Sequence, residues 1–124
     1  FFHLCSIQFI YNMLFCLGRF YELYGYDPGF TGNGWDCVDE LLKAHPDKFE
    51  RSTTPKAGAV FSGIGKNHVG IVLKVDGNNI TIQDGNYDGI TNTFEDAKKD
   101  WQTNTYTLDY YRSRMGGIVF ANPK

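Results

Sequence analysis

Long runs of one kind are what this sequence lacks. It has no stretch of Lys or Arg that could track a phosphate backbone, and its 12 basic residues are outnumbered by 14 acidic ones, for a net charge of −2. Nucleic acid is therefore not an expected partner. It has no CxxC pair: Cys5, Cys16 and Cys37 are its three cysteines, with no histidine at zinc-ligand spacing and no even number from which to build a disulfide framework. At least one thiol is left over, and its surroundings must say whether it is packing or chemistry. No uncharged apolar run reaches the roughly 18 residues of a membrane span. Phe1 to Gly18 comes nearest, but Ser6, Gln8 and Asn12 interrupt it. That stretch also lacks a basic leading segment and a small-residue cleavage site, so it reads as a buried helix and not as a signal peptide. Repeats, linkers and low-complexity tracts are absent too. A chain of 124 residues with 42% hydrophobic and 16% aromatic content can bury one core and is too short for two ordinary domains. A single domain over residues 1–124, monomeric in itself, is expected.

What is present falls into two halves. From Ser6 to Tyr24 the residues Ile7, Ile10, Leu14, Leu17, Tyr21 and Tyr24 recur at steps of three and four, the period of a helix, which should stop at Gly25. Tyr26 to Gly34, with Pro28 and several glycines, reads as an irregular loop. A second helix follows. Asp36 is a candidate N-cap, Val38, Leu41, Leu42 and His45 keep one face, and Pro46 ends it. After Ser52 the pattern turns to strands: Ala59-Val60-Phe61, His68 to Val75, and Ile80 to Gln83 beyond the tight-turn signal Asp76-Gly77-Asn78. Gly85 to Gly89 reads as a loop and Thr93 to Trp101 as a short helical turn. The strands through Gln83 look like an antiparallel meander, and Thr105 to Tyr111 and Gly117 to Ala121 read as two more strands. Helices first and strands second is an α+β arrangement.

Cysteine acts as a nucleophile only as thiolate, and the first turn of a helix favours that form through the backbone dipole. Cys37 stands in such a turn. Before it, Gly32 and Gly34 would let backbone approach a substrate, and Trp35 would line a cleft. Packing of helix two on the sheet explains a small apolar residue at 37 equally well, and the residues alone leave both readings open. Cys16 lies mid-helix in an apolar stretch and Cys5 near the chain's start, so both are expected to be structural. Of the histidines, His45 should cap helix two, His3 is near the terminus, and His68 opens a strand after a glycine-rich segment. A base needs a third group to fix its tautomer. A hairpin turning on Asp76-Gly77 would set Asp84, at the end of the next strand, across from His68. An exposed cross-strand pair of no catalytic consequence is the plainer alternative.

These residues carry a resemblance. Pro55-Lys56-Ala57-Gly58-Ala59-Val60-Phe61, then Asn67-His68-Val69-Gly70-Ile71-Val72, then Asp84-Gly85-Asn86 resemble the CHAP (cysteine, histidine-dependent amidohydrolase/peptidase) family of the papain-like NlpC/P60 superfamily. Gly32-Asn33-Gly34-Trp35-Asp36-Cys37 looks like that family's approach to its nucleophile helix. The resemblance implies a papain-like fold, with N-terminal helices packed on an antiparallel β-sheet. It also implies Cys37 as nucleophile, His68 as base, Asp84 as orienting group and Asn86 as a polar helper, with Gly34 and Trp35 at the substrate. The implied reaction is amide hydrolysis in peptidoglycan through a thioester, by an amidase or endopeptidase, as in phage lysins and bacterial wall hydrolases acting outside the cytoplasmic membrane. A wall-targeting module elsewhere in a longer protein would fit. A non-catalytic wall- or protein-binding module and a protease or deamidase acting on proteins are the competing readings. No cofactor is implied as required. Some CHAP lysins bind calcium ahead of the cysteine, and Asp27 and Asp39 are the only echoes of such ligands here. The sequence departs from the family in two respects: the interval from Cys37 to His68 is short, and aspartate at 84 stands where glutamate is common.

Overall fold

The computed structural model describes the backbone of residues 7–31, 33–85 and 101–124, and their side chains except at 7–14 and 101. His3, Cys5, Gly32, Asn86 and nearly all of the helical turn expected over Thr93 to Trp101 lie outside the described residues. Helix α1 (Ile7–Tyr24) is followed, after a loop, by a single 3₁₀ turn (Gly34–Asp36) and helix α2 (Cys37–Ala44). Then come β1 (Phe49–Ser52), β2 (Val60–Gly63), β3 (His68–Asp76), β4 (Asn79–Gly85), β5 (Trp101–Thr107), helix α3 (Leu108–Met115) and β6 (Ile118–Pro123). The fold is α+β, with one antiparallel six-stranded sheet in the order β1-β6-β2-β3-β4-β5.

The helices and most strands fall where the hydrophobic periods put them, and the departures have local causes. Strand β1 has no sequence signature. Only Phe49 of its four residues is buried, and its pairing with β6, from Phe49 opposite Pro123 to Ser52 opposite Phe120, makes it a strand at the sheet's edge. The strand expected over Thr105 to Tyr111 ends at Thr107, and Leu108 onward is helical. Thr107 takes the N-cap, its hydroxyl accepting from Tyr110 N at 3.2 Å, and Gly116 closes the helix with φ 63°, a left-handed conformation that glycine adopts without strain. The meander expected over β2, β3 and β4 is present and continues into β5, and β6 returns to lie between β1 and β2.

The sheet separates two cores. On one face α1 and α2 bring Phe15, Cys16, Phe20, Cys37, Val38 and Leu41 onto Val60, Val69, Ile71, Val119 and Ala121. On the other, α3 brings Leu108, Tyr111 and Met115 onto Phe61, Val72, Ile80, Ile82 and Phe120. Strands β2 and β6 are buried on both faces, so alternation along them decides only which core a residue joins. Tyr24 donates to Gly58 O at 2.6 Å and Arg19 Nε to Gln83 Oε1 at 3.0 Å, fixing α1 to the sheet. Among the described residues no helix is long and apolar enough to cross a membrane.

Candidate active site

The site is built at the end of β3 where the chain enters the sheet. His68 is the first residue of that strand and pairs with Gly63 of β2. Its ring lies on the α3 face, 6.0 Å from Phe61 between centroids. Across the neighbouring strand, His68 Nε2 lies 2.5 Å from Asp84 Oδ2, with Asp84 only 4% exposed. A carboxylate accepts, so Nε2 carries a proton, and in the neutral ring Nδ1 is then left with the lone pair that a general base needs.

The two side chains meet, though not in the register expected. The hairpin closes on Asp76 opposite Asn79, around Gly77-Asn78, and an irregularity between Val72 and Lys74 shifts the ladder so that Ile71 faces Gln83. Asp84 is thus diagonal to His68 and not directly opposite. Diagonal neighbours on one sheet face remain within reach of longer side chains, and imidazole with carboxylate spans the gap.

Cys37 opens α2 and is completely buried. Its Sγ lies 3.3 Å from Asn33 O, and its N–H bonds to Gly34 O. It belongs to the core on the α1 and α2 face, whereas His68 and Asp84 lie on the α3 face. What joins them is the backbone. Gly34 packs so closely on the start of β3 that a Cβ there would sit 2.7 Å from Asn67 O and 2.9 Å from His68 C. Trp35 N donates to Asn67 Oδ1 at 3.0 Å. Asn67 itself holds φ 50°, the left-handed region that asparagine tolerates better than most residues. Gly34 is buried and Trp35 is 44% exposed.

Ser62 was not singled out by sequence, and it holds helix α2, which Cys37 opens, in place. Asp36 occupies the N-cap position of α2, but its side chain makes no capping bond. Ser62 Oγ, buried on β2, accepts from Val38 N at 3.1 Å and donates to Gly34 O at 2.7 Å. A cap supplied by another strand has no local sequence signal. Ser62→Ala should orphan the buried Val38 N–H, while Gly34 O keeps its bond from Cys37. A loss of about 1–3 kcal/mol is expected, read by urea denaturation.

The other candidates take structural places. Burial pushes the Cys16 thiol well up, away from the thiolate form. His45 Nε2 donates to Asp27 O at 2.7 Å at the end of α2. Asp27 Oδ1 accepts from Gly29 N at 2.8 Å, and Asp39 is ion-paired with Arg51. Among the described residues no three His, Cys, Asp or Glu gather as metal ligands. Asp27 and Asp39 are thus each engaged by protein groups.

No curated protein matches the chain. Among solved structures it is similar to the crystal structure of Ly7917 with the hydrolyzing product of MDP, at 24% identity over 75% of this chain and 38% of that one, with a TM-score of 0.49. It is also similar to a structure of Ly7917 at 22% identity, over 73% and 37% of the two chains, with a TM-score of 0.47. The chain therefore spans well under half the length of the structures it matches. The CHAP domain model matches residues 5–86, a segment that takes in Cys37, His68, Asp84 and Asn86. On that match the chain belongs to the CHAP domain family of hydrolases.

Proposed function

We propose that this chain is the catalytic CHAP unit of a peptidoglycan hydrolase, an N-acetylmuramoyl-L-alanine amidase or an endopeptidase, in which Cys37 is the nucleophile. The observation that carries this reading is the 2.5 Å His68–Asp84 pair at the strand end on which the Cys37 loop is packed. His68 Nδ1 takes the thiol proton, and the thiolate attacks the amide carbonyl carbon. The tetrahedral intermediate collapses to a thioester as the leaving amine takes that proton from the imidazolium. Water then attacks the thioester with His68 again as base, releasing a carboxylic acid and the thiol. Asp84 stabilises the imidazolium and fixes the ring. Asn86 is proposed as a polar helper, and Trp35 and Gly34 as the rim where substrate approaches.

Asp84→Ala is expected to lower kcat by about 10²–10⁴-fold through the wrong tautomer and a wandering ring. Activity equal to wild type would remove Asp84 from the machinery. The test of the reaction itself is mass spectrometry of purified muropeptides after digestion. New amino and carboxyl termini within the stem mark an endopeptidase, loss of the peptide from muramic acid marks an amidase, and unchanged muropeptides sink the proposal.

One observation favours a second reading, a non-catalytic module that holds wall sugars or a protein. Cys37 is wholly buried, while the tyrosines Tyr106 and Tyr110 stand 44% and 42% exposed beside His68 and Asp84. Iodoacetamide separates the two. An enzyme's Cys37 is alkylated in the native protein near pH ~6, whereas a packing thiol resists until denatured.

A further inference from the structure

On the α3 face of the sheet a cavity of about 510 Å³ opens beside His68 and Asp84. We propose that it is the substrate-selecting site and takes a carboxylate-bearing peptide stem, with Lys66 and Arg114 holding the carboxylate. This rests on the hydrolase reading above and adds the chemical class that the site recognises.

Charge is the first support. The chain carries more acid than base, yet both cations on the cavity wall, Lys66 and Arg114, are exposed and lack an acidic partner among the described residues. Among the described residues the only carboxylate on that wall is Asp84, already bound by His68. Arg114 presents a planar fork suited to a carboxylate, and Lys66 stands two residues before the catalytic base.

A second support lies on the wall beside His68. At the side, Tyr106 and Tyr110 stack with centroids 4.1 Å apart and planes at 25°, both partly exposed, giving an apolar flank for the stem's aliphatic part. Two cations and an apolar flank in one concavity complement an acidic peptide.

The test reads binding without turnover. Cys37→Ala protein is titrated by calorimetry with muropeptides bearing free stem carboxylates and with the same muropeptides after carbodiimide amidation. The free form should bind about tenfold tighter. In the same background Lys66→Met and Arg114→Gln should each weaken binding of the free form about tenfold and leave the amidated form within about twofold. Arg114→Lys should keep part of the preference. Equal affinity for the two forms, parallel losses on both, or no binding of either overturns the proposal. Carboxylate-selective binding by a wild-type protein that cleaves nothing would instead overturn the hydrolase reading and leave this one standing. Cleavage with no carboxylate preference does the reverse.

Discussion

Cys37→Ala abolishes cell-wall clearing and muropeptide cleavage, with a loss of about 10⁴-fold or more, while the protein stays folded. The expectation follows from division of labour at the site. His68, Asp84 and the cavity can still bind and polarise a substrate, but no covalent acyl intermediate can form without the sulfur. Removing one buried sulfur from the α1 and α2 core should cost only about 1 kcal/mol, so the circular dichroism spectrum is retained and Tm falls by a few degrees at most. Lysis at the wild-type rate by this variant would move the chain to the binding-module reading. A collapsed spectrum would mean that the thiol is needed for the core, and Cys37→Ser would then carry the same comparison.

Gly34→Ala is expected to have the next largest effect, although Gly34 performs no chemistry. A Cβ at this position meets backbone: Asn67 O at 2.7 Å, and Asn67 C and His68 C at 2.9 Å. Flexible side chains could yield to it; two strand-end peptides cannot without moving. The 3₁₀ turn must lift off β3, and with it go Trp35's bond to Asn67, Ser62's bond to Gly34 and the start of α2. A displacement on the order of 1 Å between nucleophile and base costs about 10²-fold in rate. The expected outcome is therefore a fall in kcat of about 10²-fold together with a stability loss of about 1–3 kcal/mol from overpacking. KM should move less than kcat, because the substitution shifts the Gly34–Trp35 rim but leaves the cavity on the α3 face untouched. A variant with wild-type kcat would show that the Gly34 contact does not set the geometry of catalysis.

Stability and activity thus separate at this site in a checkable way. Ser62→Ala loosens the helix that carries Cys37, and Asp84→Ala leaves that helix alone while freeing the His68 ring. Denaturation should distinguish the first and kcat the second.

Local chemistry was legible in the sequence. The three-and-four period from Ser6 to Tyr24, the stop at Gly25, Pro46 after α2 and the turn at Gly77-Asn78 each act over a few residues, so composition alone placed α1, α2, β3 and β4. The nearness of His68 to Asp84 was legible too, because a hairpin closes it; the turn centres on Gly77-Asn78 and not on Asp76, and the shift between Val72 and Lys74 takes back one residue, so the pair is diagonal where opposite was expected. Helix α3 was misread because Thr105 to Tyr111 carries β-favouring residues, while the deciding features were the Thr107 cap and the stop at Gly116. Only tertiary structure could decide the rest. Strand β1 exists through its partner β6, the cap on α2 comes from Ser62 on β2, and Gly34's neighbour is the backbone of Asn67 and His68 more than thirty residues on. It also set Cys37 in the α1 and α2 core and His68 on the opposite face of the sheet, joined at one strand end. Sequence patterns report what each segment prefers, and contacts between distant segments depend on how the whole sheet stacks its two faces.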